Sequence, residues 1–294
     1  MSLKYPVFFH YNISTEGPLF SGLFFHKEFE EMITGVTNPR MKQVAAWQQK
    51  ARERRRDKVF LAEGVKMFLE APPDWIMEVY LTEALFEKQK ANQAFKDRLK
   101  AVGYELVSEE VFSRISDTQT PQGILCVLRQ PEYELSDLLK GENPLLIVLE
   151  NLQDPGNLGT ILRTGEGAGI SGLIMSTGTV DIFNPKVIRS TMGSVYRVPF
   201  LYTSDLQEIL HKLQNAGVRT FAAHLKGKQY FQETGFRGPC AFLIGNEGNG
   251  LTDEISQCAG EYIKIPMEGK VESLNASVAA SLLMYEAYRQ RHLS

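Results

Sequence analysis

Residues 145–164 read LLIVLENLQDPGNLGTILRT, and the order of chemistry along them sets the fold. Leu145-Leu-Ile-Val-Leu149 is an uninterrupted apolar run, the pattern of a strand buried on both faces of a parallel sheet. Asp154-Pro-Gly156 is turn chemistry, and Asn157 is the candidate cap of the helix that follows. Arg163 lies six residues, nearly two turns, further along that helix, close enough for its long side chain to reach back towards the helix start. Downstream, residues 172–176, 220–223, 240–245 and 262–265 are further strand candidates with helices between most of them, which is the pattern of a parallel sheet covered by helices.

The chain has 294 residues, more than a typical domain of about 100–200, so two compact domains are expected. Hydrophobic residues make up 43% of the sequence, enough for real cores. A net charge of -3 argues against non-specific nucleic-acid binding by the whole surface and directs attention to local basic patches. Cys126, Cys240 and Cys258 are far apart and give neither a disulfide framework nor metal-ligand spacing, and no histidine cluster is present, so no metal is expected. No run approaches the roughly 18 apolar residues needed to span a bilayer, and the apolar stretch at 5–11 lacks the features of a signal peptide. A cytoplasmic protein without a membrane partner is the expectation.

Upstream of residue 145 the sequence changes character. Residues 1–36 show no clean period and are left unassigned. Between residues 40 and 58, Arg40, Lys42, Lys50, Arg52, Arg54, Arg55, Arg56 and Lys58 are offset only by Glu53 and Asp57. Val44, Trp47 and Ala51 recur at helical spacing, which puts the stripe on the outer face and end of one helix running into a strand at 59–62. Two readings of the stripe stay open: a solvated helix face, or a phosphate-binding patch. A helix at 63–70, a strand at 76–81, a helix around 83–100, a strand at 104–107, a turn-rich stretch at 116–123 and a strand at 123–128 complete a small α/β domain over 37–130. Residues 131–143 read as a linker, and 144–294 as the second domain.

Three clusters in this second domain carry chemistry. The first is the helix with Asn157 and Arg163. The second is Gly245-Asn-Glu247-Gly-Asn-Gly250, which follows a strand and whose glycines permit close backbone approach to a ligand, with a carboxylate in the middle. The third is Ile265-Pro-Met267-Glu-Gly269-Lys-Val-Glu-Ser273-Leu274-Asn275, running into a helix that Ser273 or Asn275 would cap. That helix opens with Ala276, Ser277, Ala279, Ala280 and Ser281, small residues suited to a dimer interface or a tight chain crossing. The glycines at 165, 167 and 169 follow a helix and precede a strand, the reverse of a dinucleotide loop, and read as a helix stop.

In this order the three clusters closely resemble the SpoU family of S-adenosylmethionine-dependent RNA ribose 2'-O-methyltransferases, over roughly residues 144–292. The stretch at 37–130 resembles the ribosomal-protein-like RNA-binding domain often fused in front of it. The resemblance implies an α/β SPOUT-type parallel sheet with a C-terminal trefoil knot, and a homodimer formed through the catalytic domain. It implies S-adenosyl-L-methionine held by Gly245, Asn246, Ile265, Met267, Ser273 and Leu274. It places Asn157, Arg163, Glu247, Ser273 and Asn275 at catalytic motif positions, and gives the basic residues Arg40, Lys42, Arg52, Arg54, Arg55 and Arg56 to RNA, with ribosomal RNA favoured over transfer RNA. A guanidinium stays protonated in nearly every protein setting, so Arg163 is read as contacting a phosphate and stabilising charge on the 2'-oxygen. Glu247 is read as an orienting group and Asn275 as fixing the target nucleotide. The competing reading is a non-catalytic RNA-binding or assembly protein on the same fold.

Overall fold

A computed structural model describes residues 32–224, 227, 229–268, 270 and 273–293. The apolar stretch at 5–11 and positions Gly269, Val271 and Glu272 of the third cluster lie outside the described residues.

The front half contains α1 (Pro39–Gln49), α2 (Ala51–Asp57), β1 (Val59–Glu63), α3 (Val65–Glu70), β2 (Ile76–Thr82), α4 (Glu83–Gln89), α5 (Gln93–Val102), β3 (Glu105–Val107), α6 (Glu109–Ile115) and β4 (Ile124–Arg129). Its four strands lie in the order β1-β4-β2-β3, with β4 antiparallel to both neighbours. The basic stripe occupies two helices rather than one. The chain is extended at Lys50, and the guanidinium of Arg54 donates to the carbonyls of Trp47 and Gln48 at the end of α1. A buried cation thus caps α1 where no glycine or proline marks a break. The helix expected around 83–100 is likewise two, because Asn92 accepts the amide of Phe95 and starts α5. Helix α6, which the sequence reading left out, begins at Ser108 with Glu109 and Glu110 in its first turn, a favourable start for a helix dipole.

The expected linker contains the short helix α7 (Leu135–Leu138). Beyond it come β5 (Leu145–Leu149), α8 (Pro155–Ala168), β6 (Gly172–Ser176), α9 (Pro185–Thr191), β7 (Phe200–Thr203), α10 (Leu206–Asn215), β8 (Arg219–Ala223), β9 (Gln229–Tyr230), β10 (Cys240–Ile244), α11 (Asp253–Gln257), β11 (Glu261–Lys264) and α12 (Ala276–His292). All seven strands are parallel, in the order β7-β6-β5-β10-β8-β11-β9. The two central strands β5 and β10 are buried at every position, as their apolar runs require. Helix α8 continues through Gly165 and Gly167 and stops only at Gly169, whose left-handed φ of 73° closes the helix.

One apolar core runs from the front sheet into the large one. It joins Phe60, Met67 and Phe68 to Phe183, Val187 and Tyr196 and continues to β5 and α8. Polar contacts cross the same seam: Tyr196 donates to the carbonyl of Met67, and Arg197 pairs with Glu70. Cys126 and Cys240 are buried thiols that burial pushes up to about 12 and about 11, so neither is an available nucleophile at neutral pH. Cys258 is half-buried. Among the described residues, no helix is long and apolar enough to cross a membrane, and no group of three or more His, Cys, Asp or Glu could hold a metal ion.

Candidate active site

In a parallel sheet the loops that leave the carboxyl ends of the strands gather along one edge. Here that edge carries the loop after β5 (151–154), the loop after β6 (177–184), the glycine loop after β10 (245–250) and the segment after β11. A cavity of about 370 Å³ opens there, between the end of β8, the glycine loop, the segment after β11 and the start of α12. Gly245, Asn246, Ile265, Met267, Ser273 and Leu274, the residues expected to hold the methyl donor, all line it, together with Glu247. The glycine loop is wound on itself by reciprocal backbone hydrogen bonds between Asn246 and Gly250. A Cβ built on Gly245 would stand 2.0 Å from the carbonyl carbon of Gly250, so only glycine allows the loop to close.

Asn246 lines the cavity, but its side chain serves the loop. The amide donates to the carbonyl of Asn151 at 2.9 Å, and Oδ1 accepts the N–H groups of Gly248 and Asn249. Asn151 itself has a left-handed φ of 53°, a backbone state that asparagine tolerates better than most residues.

At one side of the cavity a polar relay links the three clusters. Glu247 accepts the backbone N–H of Gln153 at 3.0 Å and of Asp154 at 2.9 Å, and the Asn157 amide at 3.0 Å. Asn157 Oδ1 in turn accepts from the side-chain amide of Asn275 at 2.9 Å. Asn275 Oδ1 then accepts from the Ser277 N–H at 2.9 Å and from the Ser277 hydroxyl, capping α12. Burial raises the proton affinity of Glu247, but its hydrogen-bond donors outweigh that and hold it below the usual glutamate value of 4.5. It is therefore a carboxylate acceptor at neutral pH.

Asn157 does not cap its helix. Asp154 does, accepting the amide of Asn157 at 2.8 Å with Pro155 at the first helical position. This leaves Asn157 buried one turn in, facing Glu247 and Asn275. Arg163 is exposed on α8 and makes no hydrogen bond or ion pair with any described residue, and it does not line the cavity. The structure thus joins Asn157, Glu247 and Asn275, places Ser273 at the cavity wall, and leaves Arg163 apart from them within one chain.

The basic stripe divides. Arg54 is 2% exposed and pairs at 2.7 Å with Asp181 in the loop after β6; it is a buried structural cation and is withdrawn from the RNA-facing set. Arg40 pairs with Glu78 and Glu105, and Arg56 with Glu53 and Asp57, so both charges are already compensated. Lys42, Arg52 and Arg55 are exposed and have no ion-pair partner among the described residues. Sequence reasoning missed Asn151, Gln153, His224 and Lys264, of which the last two line the cavity. His224 directly follows strand β8, so the rule that ligands bind at carboxyl strand ends could have found it.

Residues 144–285 match the SpoU rRNA Methylase family, and residues 38–126 match the MRM3-like substrate binding domain. The chain is 30% identical over 236 residues to the 23S rRNA (guanosine(2553)-2'-O)-methyltransferase RlmP of Bacillus subtilis, covering 80% of this chain and 90% of that protein. It is 36% identical over 205 residues to the uncharacterized tRNA/rRNA methyltransferase slr1673 of Synechocystis sp., covering 69% of this chain and 74% of that protein. The crystal structure of an AdoMet-bound rRNA methyltransferase from Sinorhizobium meliloti superposes with a TM-score of 0.78 at 32% identity, covering 90% of this chain and 99% of that one. With two clusters lining one cavity at the carboxyl edge of a parallel sheet and the third joined to them by the relay, this chain belongs to the SpoU rRNA methylase family.

Proposed function

We propose that the protein transfers a methyl group from S-adenosylmethionine to a ribose 2'-hydroxyl of ribosomal RNA. The observation that carries this reading is that the second and third clusters line one cavity while the Glu247–Asn157–Asn275 relay ties the first cluster to both at its side. The cavity suits the methyl donor: Ile265, Met267 and Leu274 offer apolar surface for a flat base, and the tightly wound 245–250 loop offers backbone polar groups. When bound, S-adenosylmethionine supplies a methyl group already activated by a positively charged sulfur.

What remains for the protein is to position the hydroxyl and assist loss of its proton. Asn275 is fixed by its cap on α12 and by Asn157, and is suited to hold the target nucleotide. Glu247 keeps the amide of Asn157 oriented so that its oxygen faces Asn275. Arg163 contacts an RNA phosphate and stabilises charge developing on the 2'-oxygen. RNA reaches the site along Lys42, Arg52 and Arg55, whose uncompensated charges suit phosphates.

A homodimer is supported by an apolar strip on α12, where Val278, Leu282 and Tyr285 are 47%, 40% and 49% exposed. These residues line a shallow groove of about 570 Å³ together with Thr160 of α8 and Phe231. A second copy seated there would bring another α8, and with it another Arg163, towards the site. The trefoil knot is supported by the path of the last elements: β11 pairs beyond β8, after which α12 returns to pack on α8 and β10. A cytoplasmic location fits a ribosomal RNA substrate.

The test is calorimetric titration of S-adenosylmethionine into the protein and its Gly245→Trp variant, followed by mapping of 2'-O-methyl groups on ribosomal RNA. Saturable binding lost in the variant, with a new mark on ribosomal RNA, is expected. A mark on transfer RNA alone would move the substrate assignment, and no binding with or without RNA would favour the non-catalytic RNA-binding reading.

A further inference from the structure

Helix α2 presents two faces. Arg52 and Arg55 point outward, whereas Arg54 points into the seam between the two sheets. Its guanidinium is held by the carbonyls of Trp47 and Gln48 on one side and by Asp181 Oδ2 on the other. Asp181 is at the centre of the 177–184 loop, where its second carboxylate oxygen accepts the N–H of Phe183 at 3.0 Å.

That loop is bonded in turn to the loop after β5. The N–H of Val180 donates to the carbonyl of Leu152 at 2.8 Å, Gln153 Nε2 donates to the carbonyl of Gly178, and Tyr202 pins the carbonyl of Val180 at 2.7 Å. Gln153 and Asp154 then donate their backbone N–H groups to Glu247. An unbroken series of contacts therefore runs from the basic helix of the front half to the carboxylate that orients Asn157. Its atoms are mutually bonded at each step, and its first member carries no outward-facing charge.

We propose that the Arg54–Asp181 pair is a positioning element for methyl transfer: it sets the distance between the RNA-facing residues of α2 and the relay at the cavity, and holds the 151–154 loop in place. The proposal rests on the methyl-transfer reading for its functional consequence but not for its structural one. Arg54 touches neither the cavity nor the relay, so the expected signature is lost turnover with preserved binding. A displacement of the bound ribose by a fraction of an ångström is enough to slow an in-line transfer.

Removal of Arg54 would leave the end of α1 without its cap and could unfold the front half, so the informative variant is Asp181→Asn, which is isosteric and keeps every backbone bond of the loop available. Hydrogen exchange of the Gln153 and Asp154 amides, measured without RNA, is expected to quicken about tenfold while Phe242 and Leu243 in β10 exchange as in the parent. With ribosomal RNA from cells lacking the modification, kcat is expected to fall about tenfold while KM for RNA and the affinity for S-adenosylmethionine stay within about threefold. Unchanged exchange at Gln153 and Asp154 would overturn the coupling. Quickened exchange with parental kcat would overturn its role in transfer, as would a loss carried by KM or by cofactor affinity. Should the parent itself transfer no methyl group, the functional reading fails, and the exchange measurement still decides whether the pair holds the loop.

Discussion

Arg163 and Glu247 are both charged groups of the three clusters, yet the structure treats them in opposite ways. Glu247 is saturated with donors, and Arg163 has none of its charge answered by a described residue. A guanidinium left open in this way is suited to an oxygen that arrives with the substrate. Arg163→Lys is expected to keep RNA affinity within about threefold and to lower single-turnover methyl transfer about a hundredfold or more; equal loss of both in filter binding and transfer would make it a binding residue. For Glu247 the sign of the pH effect follows from its lowered pKa. Its contribution is fully present above the ordinary glutamate value of 4.5 and is lost as pH falls through the lower folded value. Cofactor affinity, followed by titration calorimetry, should therefore show no Glu247 step above about pH 5.

At the level of helices and strands, the apolar runs made the central sheet readable: strands β5, β6, β8, β10 and β11 fall on the expected residues within one position. Strand β7 escaped because it is a four-residue edge strand in which only Phe200 is buried, and its short apolar stretch Phe200–Tyr202 directly follows Pro199. The division of the basic helix was illegible for a different reason, since its cause is Arg54 folding back on α1, a contact no local pattern encodes. The cavity lining was legible through the two short clusters at 245–250 and 265–274, but the supporting groups at Gln153 and Asp154 act through backbone N–H and carry no residue signature. Gly159 shows how closely the helices over the site pack. A Cβ there would lie 2.3 Å from Ser190 Cβ and 3.1 Å from the Val187 carbonyl, in the α8–α9 contact. Gly159→Ala should therefore destabilise the protein by about 1–3 kcal/mol in urea unfolding, against the small gain that alanine gives in a helix not packed against a neighbour.

For the molecule as a whole, the apolar strip on α12 makes an assembly prediction. Leu282→Asp should shift the protein in sedimentation velocity from a dimer to the 33.1 kDa chain, and should impair transfer if Arg163 is supplied across the interface. A parent protein that already sediments as a single chain would remove the dimer from the mechanism. The seam between the sheets constrains the molecule in another way. Phe60 packs tilted against Phe183 at 4.9 Å between ring centroids, and Trp75 meets Tyr196 edge-on at 6.1 Å, so each half supplies part of the other's interior. Interiors packed at this density tolerate poorly a change of shape on one side only. The two halves are therefore poor currency for exchange by recombination: a front half inherited from a relative would arrive with the wrong relief for this catalytic half, and substitutions on either side of the seam must be matched on the other if the lineage is to keep both.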